Sequence, residues 1–315
     1  MSLTHKIYYQ LKPFIPRSLQ IALRRSVVLR KRKSYTDVWP IDERAGRVPK
    51  AWSGWPDEKR FALLLTHDVE SAKGQEKCIK LASLEERLGF RSSFRFMAKE
   101  YNVSSVLRHY LVKKGFEVGV HGLYYDGNLF SSKKEIPRTS SPNQLYFRKW
   151  GSAGFRTPCM FHNLEWISDL NIEYDSSTFD TDPFEPQPDG VGTIFPFWVH
   201  DGSTDKGFVE LPYTLPQDFT LFVLMKERNI DIWKKKLNWI VEKGGMALLI
   251  THPDYINCDK GRCGIEEYPM EFYKEFLHYM KGKYEGQYWN PLPKEMAHFW
   301  KEKMVEKRQA RRDSD

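Results

Sequence analysis

Residues 61–70 read FALLLTHDVE, an apolar run that stops abruptly on a histidine and two acids. Five of its first six residues are apolar, and the run is too short for a buried helix, so it predicts a fully buried parallel strand. In a parallel α/β fold the ligand sits beyond the carboxyl ends of the strands, which places Asp68 and Glu70 where chemistry is done. Two later stretches share the design. Residues 116–121, FEVGVH, end on His121 before GLYYDG, and residues 246–252, MALLITH, end on His252 before Pro253 and Asp254. A single histidine at a strand end is usually structural. Three of them with carboxylates close behind predict a site.

Outward from these strands the chain alternates. A helical pattern over 74–88 ends at Gly89, a strand follows over 93–98, a helix over 103–114 and a third strand at 116–121. A long loop (122–141), a helix (143–150), a short strand (154–157) ending by Arg156, a helix (162–170) and the segment IEYDSS come next. The segment 178–192 is rich in Pro, Asp and Gly and reads as a functional loop. Strands are expected at 195–199 and 208–212, a helix at 231–242, the last strand at 246–252, and closing helices at 268–281 and 294–307. About seven strands alternating with helices predict a parallel α/β barrel in preference to an open sheet, since no glycine-rich phosphate turn follows the first strand. Residues 1–60 then form a basic arm and docking segment, 61–292 the barrel, and 293–315 a C-terminal helix with a charged tail.

A length of 315 residues allows one large α/β unit or two ordinary ones, and the composition, 41% hydrophobic and 15% aromatic, is globular. The formal charge of +8 is concentrated at the two ends of the chain. Residues 17–33, RSLQIALRRSVVLRKRK, interleave Leu19, Ile21, Leu23, Val27, Val28 and Leu29 with cations, so an amphipathic helix resting on anionic lipid is one reading and a solvated or docked arm the other. No signature interleaves aromatic and basic residues for nucleic acid, and none is expected as a partner. The first residues have no apolar core or cleavage site of a signal peptide, and four cysteines are too few for a disulfide framework. The expected setting is the cytoplasm, with peripheral contact to the inner face of the membrane through the basic segment.

A histidine and a carboxylate at neighbouring strand ends can hold a divalent metal, whose chemistry is to polarise a carbonyl and acidify water. Asp68 could then take a proton from the attacking water while His252, on a different strand, protonates the leaving group. Arg156 would keep Asp68 ionised, or serve as a structural salt bridge. No Gly-x-Ser-x-Gly turn occurs, which makes covalent catalysis the weaker choice.

THDVE at 66–70, EVGVHGLYYDG at 117–127, GFRTP at 154–158 and LLITHPDY at 248–255 resemble, in this order, the signature segments of the polysaccharide deacetylase family with the NodB-type fold. The resemblance covers 61–254. It implies an irregular (β/α) barrel that removes N- or O-acetyl groups from amino sugars with a divalent metal, generally zinc. It further implies Asp68 as catalytic base, Glu70 at a metal-ligand Asp position, His121 as first histidine of a His-x-x-x-His ligand motif, Arg156 as the arginine positioning the base, and His252 as general acid. Two positions depart from the pattern. Tyr125 stands at the second ligand histidine, where a neutral phenol binds zinc poorly, and Glu70 is one methylene longer than Asp. Asp126 could supply an oxygen instead, which shifts preference toward Mn or Mg. The implied substrate is a carbohydrate, an amino sugar of a surface polysaccharide or of its lipid- or nucleotide-linked precursor. The departures also leave a second expectation, a catalytically weak or inactive relative that binds glycan.

Overall fold

Short apolar runs alternating with amphipathic segments fold here as a curled parallel sheet wrapped by helices. The computed structural model describes residues 15–50, 52–124, 142–200, 206–259 and 261–312. A basic helix, α1 (Arg17–Arg32), precedes the sheet. The chain then runs through β1 (Phe61–Val69), α2 (Ala72–Leu88), β2 (Ser92–Phe96), α3 (Ser105–Lys113), β3 (Glu117–Val120), α4 (Pro142–Trp150), β4 (Gly154–Phe155) and β5 (Tyr174–Asp175). It continues through β6 (Phe197–His200), β7 (Gly207–Glu210), α5 (Asp231–Lys243), β8 (Met246–Thr251), α6 (Met270–Tyr284), β9 (Tyr288–Trp289) and α7 (Pro293–Arg312).

Every residue of β1 is buried, as a strand covered on both faces must be. It pairs in parallel with β2 on one edge and β8 on the other, and the sheet order is β6-β7-β5-β4-β3-β2-β1-β8. Among the described residues only β6 pairs antiparallel in this sheet. The two ends of the sheet meet through the segment after β7. Parallel bridges join Phe179 to Tyr213 and Leu215 to Leu249, and Thr214 Oγ1 donates to the Met246 carbonyl at 2.8 Å while accepting from Leu248 N at 2.9 Å. The result is the expected irregular (β/α) barrel of parallel strands. One expectation fails here: 246–252 is not the last strand, because β9 adds two residues beside the start of β1, on the edge that β2 occupies further along. The helix expected over 162–170 is a single turn, Leu164–Ile167, started by the Asn163 side chain accepting from Trp166 N.

The helices start and stop where local chemistry dictates. Ser71 caps α2 by accepting from Gly74 N, and Gly89 ends it at φ 78°, a left-handed conformation that costs glycine nothing. The α1 helix is amphipathic, but its inner face is used by the protein itself. Ile21 and Val28 are buried, Arg25 Nη2 donates to the Val223 carbonyl at 3.0 Å, Arg32 pairs with Glu227, and the Arg24 guanidinium lies 4.9 Å from the Phe219 ring centroid. The approach to β1 docks through Trp55, whose Nε1 donates to the Gly244 carbonyl at 2.8 Å, with Trp52 packed on Trp300 of α7. Among the described residues no helix is long and apolar enough to cross a membrane.

The barrel interior is tight. A Cβ on Gly154 would lie 2.1 Å from the Tyr174 ring, so only glycine lets that ring cross β4. Gly154→Ala is expected to cost about 1–3 kcal/mol through overpacking and to lower the urea midpoint. An unchanged midpoint would show that the ring is free to move aside.

Candidate active site

The end of β1 alternates, and the alternation sorts its side chains. Thr66 and Asp68 face the barrel interior, whereas His67 faces the helices. His67 is fully buried, with Nδ1 2.7 Å from Thr251 Oγ1 and Nε2 2.7 Å from Glu85 Oε1 of α2. It is therefore a structural tie between strand and helix. Of the three strand-end histidines only His121 and His252 reach the site.

Asp68 is clamped. Arg156 Nη1 donates to its two carboxylate oxygens at 3.0 and 3.2 Å and to Thr66 Oγ1 at 2.9 Å. The rest of the guanidinium is fixed by the carbonyl and hydroxyl of Ser176, at 2.8 and 2.7 Å. Burial alone would raise the Asp68 pKa. The Arg156 cation, with His121, His252 and Arg95 behind it, reverses this and holds the carboxyl well below its usual range. Arg95 is a second buried arginine in the interior, donating to Tyr174 Oη at 3.3 Å, and Tyr174 in turn donates to Glu117.

His121 faces Asp68 from β3. Its Nδ1 donates to the Arg156 carbonyl at 3.2 Å, and because that partner can only accept, Nε2 is left as the bare nitrogen. That nitrogen points at carboxylates, 3.9 Å from Asp68 Oδ2 and 4.0 Å from Glu70 Oε1. Burial pushes the His121 pKa down to about 4, against the pull of Asp68, so the ring is neutral. Glu70 accepts from Tyr255 Oη at 3.0 Å, and its backbone N–H donates to Asp254 Oδ2 at 2.9 Å. Burial, with Asp254 and Asp68 adding negative charge, lifts the Glu70 carboxyl to about 7 despite the opposing pull of His252 and Tyr255.

His252 is held by Asp218. Its Nδ1 donates to Asp218 Oδ1 at 2.7 Å and its backbone N–H to Oδ2 at 2.7 Å, and Tyr268 Oη donates to the same Oδ2 at 2.8 Å. Asp218 also caps the π-helical turn Phe219–Leu224 by accepting from Phe219 N at 2.8 Å. Burial would lower the His252 pKa. Asp218 outweighs it, aided by Glu70 and Asp68, and pushes the imidazole up to about 10. An open cleft of about 650 Å³ meets the cluster at Glu70 and Tyr255, lined further by Asp254, Glu266 and, from α1, Arg17, while Asp68, His121, Arg156 and His252 lie off its lining.

The structure thus brings Asp68, Glu70, His121 and Arg156 into one cluster, with His252 in electrostatic reach. Tyr125 and Asp126 lie outside the described residues. Asp218, Arg95, Ser176 and Tyr255 escaped the sequence reading. Asp218 has no strand-end or motif signal, being reached only because the segment after β7 crosses to β8. Arg95 had one: an arginine in an alternating strand, in register with Asp68.

As a metal site the donor chemistry fits in part. A neutral imidazole with its far nitrogen tied to a carbonyl, facing a carboxylate, is the arrangement that presents a histidine to a divalent ion. Glu70 and His121 would supply two ligands. Among the described residues no group of three or more His, Cys, Asp or Glu is arranged to hold an ion.

A pH effect follows from the groups raised above their ordinary values. His252 moves from 6.5 to about 10, so its stabilisation is fully present below about pH 6.5 and is lost as pH climbs through 10. Glu70, raised from 4.5 to about 7, acts with the same sign, losing its contribution as pH rises from about 4.5 through 7. The melting temperature of the metal-free protein should therefore fall between pH 7 and pH 10, by on the order of 5 °C, and His252→Gln should flatten that fall. A melting temperature that rises over this range would contradict the assigned charge states.

No protein-family profile and no curated protein matches the chain. Solved structures do. A candidate polysaccharide deacetylase from Mycobacterium smegmatis aligns at TM-score 0.57 and 16% identity, covering 82% of this chain and 96% of that one. A Puue allantoinase aligns at TM-score 0.54 and 15% identity over 83% and 97% of the two chains, and a candidate polysaccharide deacetylase from Pseudomonas aeruginosa at 0.54 and 14% over 78% and 92%. At such identities the likeness shows the fold, which is the NodB-type (β/α) barrel that the sequence resemblance implied.

Proposed function

We propose that the protein is a divalent-metal-dependent deacetylase acting on an amino sugar of a polysaccharide or of its lipid- or nucleotide-linked precursor, at the cytoplasmic face of the membrane. One observation carries the reading. At the mouths of β1 and β3 the Arg156-clamped carboxylate of Asp68 and the carboxylate of Glu70 face the bare nitrogen of His121, with the Asp218-held imidazole of His252 in electrostatic reach at the mouth of β8. The deacetylases of the same fold are consistent with it.

In this reading Glu70 and His121 hold the ion, generally zinc, with Mn or Mg the choice if further ligands are oxygens. When bound, a divalent ion would acidify water and polarise the acetyl carbonyl, which a carboxylate as weakly basic as the clamped Asp68 requires of its partner. Asp68 takes the proton of the water whose oxygen bonds to the acetyl carbon. His252 gives its proton to the amide nitrogen, or ester oxygen, as the bond to the carbonyl carbon breaks. Arg156 keeps Asp68 aimed and ionised, and Asp218 keeps His252 charged.

A second reading, a catalytically weak or inactive protein that binds glycan, is favoured by one observation: among the described residues no group of three or more His, Cys, Asp or Glu is arranged to hold an ion. Calorimetric titration of the metal-free protein separates the two. The first reading predicts a stoichiometric divalent-ion site, with Tyr125→His raising zinc affinity by about tenfold or more. No heat with zinc, manganese or magnesium would leave the glycan-binding reading.

A further inference from the structure

We infer that the outer face of α1 is a docking surface for an anionic lipid–water interface. The inference deepens the reading of a membrane-presented substrate and rests on that reading for its purpose, while its evidence is the helix itself. The inner face of α1 is committed to the protein through Ile21, Val28, Arg25 and Arg32. Among the described residues the outer face makes no such commitment. Leu19, Leu23 and Val27 stand at i, i+4 and i+8 and are 49%, 51% and 52% exposed, forming one apolar ridge along the helix. Arg30 and Lys33 lie exposed at its C-terminal end, and among the described residues neither has an ion-pair partner.

Charge and area together choose the occupant. Residues 17–33 contain no Asp or Glu, so a second copy meeting this face by two-fold symmetry would set cations against cations. Three half-exposed side chains also fall short of the roughly 800 Å² per partner that a stable protein interface buries. Shallow insertion of an apolar ridge below a layer of anionic headgroups, with cations at headgroup depth, suits both features. The placement is useful to the site. Arg17, in the first turn of the same helix, lines the cleft beside Glu70, so a helix lying on lipid holds the cleft close to the surface that would carry the sugar.

The test is co-sedimentation of the full chain with phosphatidylcholine vesicles, with and without phosphatidylglycerol. Binding is expected only with the anionic lipid and should weaken by about tenfold or more from low to high salt. Arg30→Glu/Lys33→Glu should weaken it by about fivefold or more per cation. Leu19→Ser/Leu23→Ser/Val27→Ser, at exposed positions that leave the core intact, should lower it by at least tenfold with an unchanged melting temperature. Absence of binding by the wild type at low salt, or equal binding by the serine variant, would overturn the proposal. So would a dimer in light scattering that the serine variant dissolves, since the ridge would then meet a second copy. None of these readouts involves turnover, so failure of the docking surface and failure of the deacetylase reading are separate results.

Discussion

Asp68→Asn is expected to lower the rate of acetate release by roughly a hundredfold to ten-thousandfold, the range spanned by loss of a positioned general base. The substitution keeps shape and removes only charge and basicity. Arg156 retains Thr66 Oγ1, the Ser176 carbonyl and the Ser176 hydroxyl as acceptors, so the arginine stays in place and the barrel should still fold. Stability should nonetheless fall at neutral pH. A carboxylate whose pKa is depressed on folding stabilises the native state above its unfolded value near 4, and loses that contribution only in strong acid. The variant should therefore melt lower than wild type at pH 7, with the gap closing as pH drops below about 4. A near-normal rate in an otherwise active preparation would remove Asp68 from the reaction.

His252→Ala should cost a similar factor, and Asp218→Asn should reveal why. With Asp218 neutral, the main charge that lifts the imidazole is gone, and its pKa should drop toward the ordinary histidine value near 6.5. The deficit of Asp218→Asn relative to wild type is expected to be modest at pH 6 and to grow about tenfold for each pH unit above that pKa, until the wild-type His252 itself begins to lose its proton. His252→Ala has no proton to lose, so its deficit should be large at pH 6 already. A pH-independent deficit in Asp218→Asn would mean that Asp218 only shapes the turn at Phe219 and does not set the charge of the acid.

The strands were legible because their chemistry is local. FALLLTHDVE, FEVGVH and MALLITH each carry a buried run and a polar end, and β1, β3 and β8 lie where those runs predict, with Asp68, Glu70 and His121 meeting at their mouths. Period-two alternation in the same stretch also separates His67 from Asp68, although reading three strand-end histidines as equivalent hides it. What was not legible depends on contacts far apart in sequence. Asp218 meets His252 across 34 residues, and the Tyr255 hydroxyl reaches Glu70 across 185. The two-residue strands β4, β5 and β9 are too short to show a period at all. For α1 the apolar spacing was visible but not its division, since which of Ile21, Leu23, Val27 and Val28 face inward is set by the surface offered by the π-helical turn.

The most direct test of the deacetylase account is acetate release, measured enzymatically, from N-acetylated chitooligosaccharides and from lipid- and nucleotide-linked N-acetylamino sugars, using zinc-loaded wild type, Asp68→Asn and His252→Ala side by side. The account predicts acetate from at least one of these substrates with the wild type and background release with both variants. Equal release by all three proteins would contradict it. So would no release by a metal-loaded wild type that binds the same glycans in a direct binding assay.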